Sequence, residues 1–195
     1  GIGHTATCCI ADFPKKTTSE AIIDNVIFVG SRRDCITDGS TFVQRATRVN
    51  ATLNEDCSQG VDKLVTTEGD WGGVHLDFTT KKVSLTTKVV LKTRVSWERR
   101  NGWTWRTFAA HIGLLFYAWG IIDLQMAEFF PVLRFVSEKG RWLSERPDKW
   151  DAKADIWQSV WPVLQRWTDL VLRNEPRLVP VGGEPELLVA TDASR

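Results

Sequence analysis

One carboxylate set in an apolar run is the first feature here that can do chemistry. Residues Glu20 to Gly30 place Asp24 and Asn25 between Ile22–Ile23 and Val26 to Val29. The β-branched content and the closing Gly30 predict a buried strand or a tight hairpin. A carboxylate inside such a run is costly to bury unless it is paired or holds a metal. Asp-Asn also suits a two-residue hairpin loop. The two readings are compatible, because a hairpin tip can hold an acid out into a cleft. Asp192 is a second candidate, a strand-end acid in Thr191-Asp192-Ala193-Ser194 after the apolar Leu187 to Ala190. Between them the charge is uneven. Lys81 to His111 holds eight Lys or Arg (Lys81, Lys82, Lys88, Lys92, Arg94, Arg99, Arg100, Arg106) against one acid, Glu98. Such a zone is a solvated charged face or a row of phosphate contacts.

These residues need elements to position them. The 195 residues allow one or two small domains, and 43% apolar with 25% charged residues fits a soluble globular chain. The chain begins with Gly1 and stops at Ser194–Arg195, which reads as a segment cut from a longer one. Cys8, Cys9, Cys35 and Cys57 match no zinc spacing, and a reduced intracellular protein is the expectation. The most apolar window, Phe108 to Ile122, is shorter than the roughly 20 residues a membrane span needs, so a core helix and no membrane are expected.

The pattern predicts an α+β fold. After the Ala21 to Gly30 strands, Ser31 to Val49 has loose helical spacing, and a short strand is expected near Lys63 to Thr66. Val74, Leu76 and Phe78 alternate with polar residues, then Val83 and Leu85 resume, which predicts a hairpin entered through Gly72–Gly73. The absent side chains there let a backbone or a ligand approach closely. Thr86 to Trp97 reads as a basic helix or an extended link. Thr104 to Ile122 is the clearest helix, with Thr104 as N-cap and Trp105, Phe108, Ile112, Leu115, Phe116 and Trp119 inward. Gly113 and Gly120 are expected at close packing contacts. Gln125 to Ser137 is a further helix that Pro131 kinks or splits and Lys139–Gly140 stops. Asp148 to Arg173 has helical spacing that Pro162 divides, either as a kink or as the first residue of a new helix; Asn174 to Glu186 is a linker. His111 is expected as a satisfied core histidine, Trp105 as core, and Trp97 and Trp103 as core or base-stacking residues.

Taken together, Asp24–Asn25, Trp71-Gly72-Gly73-Val74-His75-Leu76-Asp77-Phe78, Gly113-Leu114-Leu115 and Thr191-Asp192-Ala193-Ser194 resemble, in that order, the C-terminal half of a retroelement reverse transcriptase. The paired Asp-Asn and the tryptophan-rich helices suggest the tyrosine-recombinase group, DIRS-like or VIPER-like. The resemblance implies the late palm at 1–85, a helical thumb at 86–140, a connection and linker at 141–186, and the start of ribonuclease H at 187–195. Asp24 then looks like the first aspartate of the palm pair, with Asn25 where the family has its second. Trp71, Gly72 and Gly73 look like the segment that holds the primer terminus, and Asp192 like the first acid of ribonuclease H.

The implied activity is RNA-directed DNA polymerisation with ribonuclease H following. Its partners are an RNA template, an RNA–DNA hybrid and deoxynucleotides. Its cofactor is Mg2+, held by hard oxygen ligands such as Asp24 and Asp192. Lys88, Lys92, Arg94, Arg99, Arg100 and Arg106 would meet hybrid phosphates. Asn25 offers only a neutral carbonyl oxygen, and the family's other palm acid lies on a strand that precedes this segment. The segment alone is therefore expected to be inactive. The alternative is a non-catalytic nucleic-acid-binding module derived from such an enzyme; a third is an unrelated interaction protein.

Overall fold

The computed structural model describes residues 10–22, 25–51 and 60–179. It is α+β and divides into two compact units, Gly1–Gly72 and Gly73–Arg195.

In the first unit, β1 (Thr18–Ile22) and β2 (Asn25–Val29) form an antiparallel hairpin whose register runs from Thr18 opposite Val29 to Ile22 opposite Asn25. Asn25 therefore belongs to β2 rather than to a two-residue Asp-Asn loop. Helix α1 (Arg32–Arg48) follows; the Ser31 hydroxyl caps it by accepting from the Asp34 amide. Asp38, buried on α1, accepts from the Lys16 and Thr17 amides and the Thr17 hydroxyl at 2.8–2.9 Å, tying the segment before β1 to the helix. Gly39 sits in α1 where a Cβ would come within 2.7 Å of the Val61 side chain. The strand expected near Lys63 to Thr66 is instead a 3-10 turn at Val61–Lys63, and the chain becomes extended at β3 (Glu68–Trp71).

In the second unit, β4 (Val74–Asp77) and β5 (Lys82–Leu85) pair antiparallel, as the alternation predicts. Asp77 holds the tip by accepting from the Thr79 and Thr80 amides and the Thr80 hydroxyl. Four helices follow: α2 (Thr87–Glu98), α3 (Trp105–Ile122), α4 (Phe130–Ser144) and α5 (Trp161–Arg173). Thr104 caps α3 in a reciprocal capping box with Thr107. The helices share one core around Phe108, Leu115, Phe129, Phe135, Leu164 and Trp167, with Leu85 of β5 in it. Trp167 stacks on Phe129 at 4.9 Å and meets Phe116 edge-on at 5.5 Å. A second aromatic group joins Trp97, Trp103 and Trp161, with centroids 5.9–6.2 Å apart.

Several sequence expectations give way here. Pro131 neither kinks nor splits a helix; it lies in the first turn of α4, after a 3-10 turn at Met126–Phe129, where its missing N–H costs nothing. Gly140 does not stop α4, which continues to Ser144. Asp148 to Val160 is not helical beyond a 3-10 turn at Pro147–Lys149. Its backbone is used elsewhere: Trp105 and Arg106 donate to the carbonyls of Ala152 and Trp150, and Ala154 donates to Trp103. Pro162 lies in the first turn of α5, the new-helix alternative of the two expected for it. No side chain lies near where a Cβ at Gly113 or Gly120 would be, and Phe116 and Trp119 keep over a third of their surface exposed. The expected linker begins as a strand, β6 (Arg177–Leu178), paired with β5 through Lys82–Leu178 and Val83–Arg177.

Candidate nucleic-acid interface

The cations concentrate on α2. Lys88, Lys92, Arg94 and Arg99 are all exposed. At 100° per residue, Lys88, Leu91, Lys92, Val95 and Arg99 fall on one stripe, while Arg94 faces away from Lys92. Leu91 is 55% and Val95 37% exposed, so the stripe is apolar at its centre, with Lys88, Lys92 and Arg99 around it and the exposed acid Glu98 at its edge on the Leu91 side. It borders an open groove of about 500 Å³, lined also by Ser96, Trp103, Thr107 and Ala110.

Two candidates have partners within the chain. Arg106 makes a bidentate pair with Asp151 at 2.8 and 3.1 Å. That pairing raises the Arg106 pKa and lowers that of Asp151, in both cases first through the hydrogen bond. Arg100 lies over the Trp97 ring at 4.8 Å and donates to the Trp97 carbonyl. Both sides of the pair with Asp151 are solvent-exposed, so Arg106 can exchange Asp151 for a phosphate at little cost.

Trp71 ends β3 in the first unit, half-buried, and Gly72 is exposed with φ 57°. Gly73 has φ 94°, and a Cβ there would stand 2.8 Å from the Tyr117 hydroxyl and 3.1 Å from Val89. The group that approaches closely at Gly73 is thus the chain's own α3. The Gly73 carbonyl also accepts from the Thr86 amide, joining the start of β4 to the start of α2.

Of the tryptophans weighed for stacking, Trp103 is buried, with its indole N–H donating to the Ser96 carbonyl, and Trp105 is buried as expected. Trp97 is half-buried and packs on His111 at 5.7 Å. His111 is fully buried, and both ring nitrogens are within 3.1 Å of hydroxyls, those of Ser96 and Thr168. Thr168 spends its hydroxyl hydrogen on the Leu164 carbonyl. It must therefore accept from Nε2–H, and Nδ1 accepts from Ser96. Burial lowers the His111 pKa to about 4, so the ring is neutral at pH 7.

Asp24 and Asp192 lie outside the described residues, and among the described residues no three His, Cys, Asp or Glu side chains are grouped to hold a metal ion. No described helix is long and apolar enough to cross a membrane. No local pattern marks Asp38, Asp151, Asn174 or Arg177, whose partners are remote in the chain. Compared with protein-family models, curated proteins and solved structures, the chain matches none of them.

Proposed function

We propose that this chain is part of a retroelement reverse transcriptase, an RNA-directed DNA polymerase followed by ribonuclease H, and that its second unit grips the RNA–DNA hybrid through α2. The single observation that carries the reading is the exposed stripe of α2, with Lys88, Lys92 and Arg99 around Leu91 and Val95. Cations there meet phosphates without reading sequence, which is what copying any template requires. The order of elements supports it. An antiparallel hairpin whose strands flank residues 23 and 24 precedes a helix; a Gly72–Gly73 turn, a second hairpin and a helical unit come after. Under this reading those parts are late palm, primer-holding segment and thumb, and Thr191-Asp192 opens the ribonuclease H domain. The Asp24–Asn25 pair and the tryptophan-rich helices point to the tyrosine-recombinase group, DIRS-like or VIPER-like.

Mg2+ is the ion such chemistry uses. The described residues do not form its site. What these residues do is bind and orient the duplex.

Hybrid binding by the chain, measured against salt, tests the reading. Affinity should fall steeply with added salt, and the Lys88→Ala/Lys92→Ala/Arg99→Ala triple variant should flatten the log–log slope by about 2 to 3. A salt-independent affinity would remove the interface. For the reaction, primer extension on RNA by the full reading frame should be abolished by Asp24→Ala. Unchanged extension would leave Asp24 without a metal role, and no extension by the parent frame would favour the non-catalytic binding module.

A further inference from the structure

We infer that Asn174 is the positioning residue of the cationic hairpin β4–β5, aiming Lys81 and Lys82 at the nucleic acid; this rests on the reading just given. Asn174 follows the last residue of α5 with φ 47° and ψ 47°, a left-handed conformation that glycine or asparagine adopts at a helix end. Its side-chain amide spans 89 residues of sequence to the end of β5. Oδ1 accepts from the Leu85 amide at 2.8 Å, and Nδ2 donates to the Leu85 carbonyl at 2.9 Å.

Leu85 is 2% exposed, so both of its backbone groups need partners inside the protein. β6 reaches only Lys82 and Val83. The amide of Asn174 thus stands in for one more strand residue. Asparagine suits this uniquely: aspartate cannot donate, glutamine is a methylene longer, and glycine has no side chain.

The same segment then follows β5 to its tip. Arg177 pairs with Val83, Leu178 with Lys82, and the Val179 amide donates to the Lys81 carbonyl at 2.8 Å. Lys81 itself has φ 56°, and Lys81 and Lys82 are exposed. Residues 174–179 therefore act as a brace along the whole outer edge of β5. Asn174 fixes the end that enters the core, and the other end fixes the backbone beneath the two lysines.

Asn174→Gly isolates this role, because glycine keeps the left-handed helix end and removes only the amide. In the full 195-residue chain, its circular dichroism should stay near the parent's, its melting temperature should fall because two buried Leu85 groups lose their partner, and exchange of the Leu85 amide hydrogen should accelerate at least about tenfold. Its salt slope for an RNA–DNA hybrid should be shallower by about 1.5, the loss of two phosphate contacts. Lys81→Ala/Lys82→Ala should flatten the slope equally, and adding Asn174→Gly should flatten it no further. An Asn174→Gly slope equal to the parent's, or a fully additive triple variant, overturns the inference while leaving α2 as the grip. A parent without salt-dependent hybrid binding overturns both. Asn174→Asp, which keeps the acceptor and loses the donor, should give an intermediate slope, so the inference stays open to refutation even if the glycine variant fails to fold.

Discussion

The imidazole of His111 has no exposed surface and two hydroxyl partners, and that sets how stability responds to acid. Its folded pKa is about 4, against an ordinary value of 6.5. The unfolded chain therefore binds the proton more readily. The stabilisation is complete above about pH 6.5 and is lost as pH falls from there towards 4, by up to roughly 3 kcal/mol. Melting temperatures should be level above pH 7 and drop between pH 6.5 and 4.5, with a smaller drop for His111→Gln. An equal drop in both would show that other groups govern the acid response. Asp38 works in the same sense at lower pH. Burial raises its pKa, but the Thr17 hydroxyl and the Thr17 and Lys16 amides together bring it below the usual carboxylate value. Its contribution is lost only as pH falls through the range of an ordinary carboxylate. The two steps thus occupy different pH windows, the histidine's above the carboxylate's.

Among the elements, the join of β4 to α2 and α3 depends on a glycine. Gly73→Ala would force a side chain into a left-handed φ of 94° and within 2.8 Å of the Tyr117 hydroxyl. The cost should be about 1–3 kcal/mol in denaturant unfolding. Tyr117→Phe should recover part of it, since it removes the clashing oxygen and leaves the backbone strain; no recovery would assign the whole cost to φ. The α3 cap, the β4–β5 hairpin and the core histidine were legible in sequence because their signals are local: Thr104 with Thr107, alternation over a few residues, and a histidine on an apolar face. The break before α5 was not. Its apolar spacing is helical, yet residues 150–154 pair with residues 103–106, a bond pattern that no local window contains. Pro131 and Gly140 misled in another way. Proline is tolerated in a helix's first turn, and a glycine within a helix only weakens it. Of the candidate interface, the cations of α2 were legible as a charge run. The capture of Arg106 by Asp151 and of Arg100 by Trp97 needed the tertiary structure.

For the molecule as a whole, the second unit's stability rests on large rings where helices meet. Trp167 is fully buried, stacked on Phe129 and edge-on to Phe116. Trp167→Ala should cost about 3–5 kcal/mol, read as a lower denaturation midpoint at an unchanged slope. A loss below about 1 kcal/mol would mean that the helices close over the vacated space. α2 packs on the same core through Val89, Val90 and Trp97.

Nine of the ten tryptophans fall between Trp97 and Trp167, leaving Trp71 alone in the first unit. Trp103 and Trp161 lie nearly parallel, 11° apart, while Trp97 is inclined by 63° to Trp103. The helical half carries nearly all of the chain's indoles. Intrinsic fluorescence follows that half almost exclusively, and a melt recorded at one emission wavelength would pass over the opening of the hairpin β1–β2 without a trace.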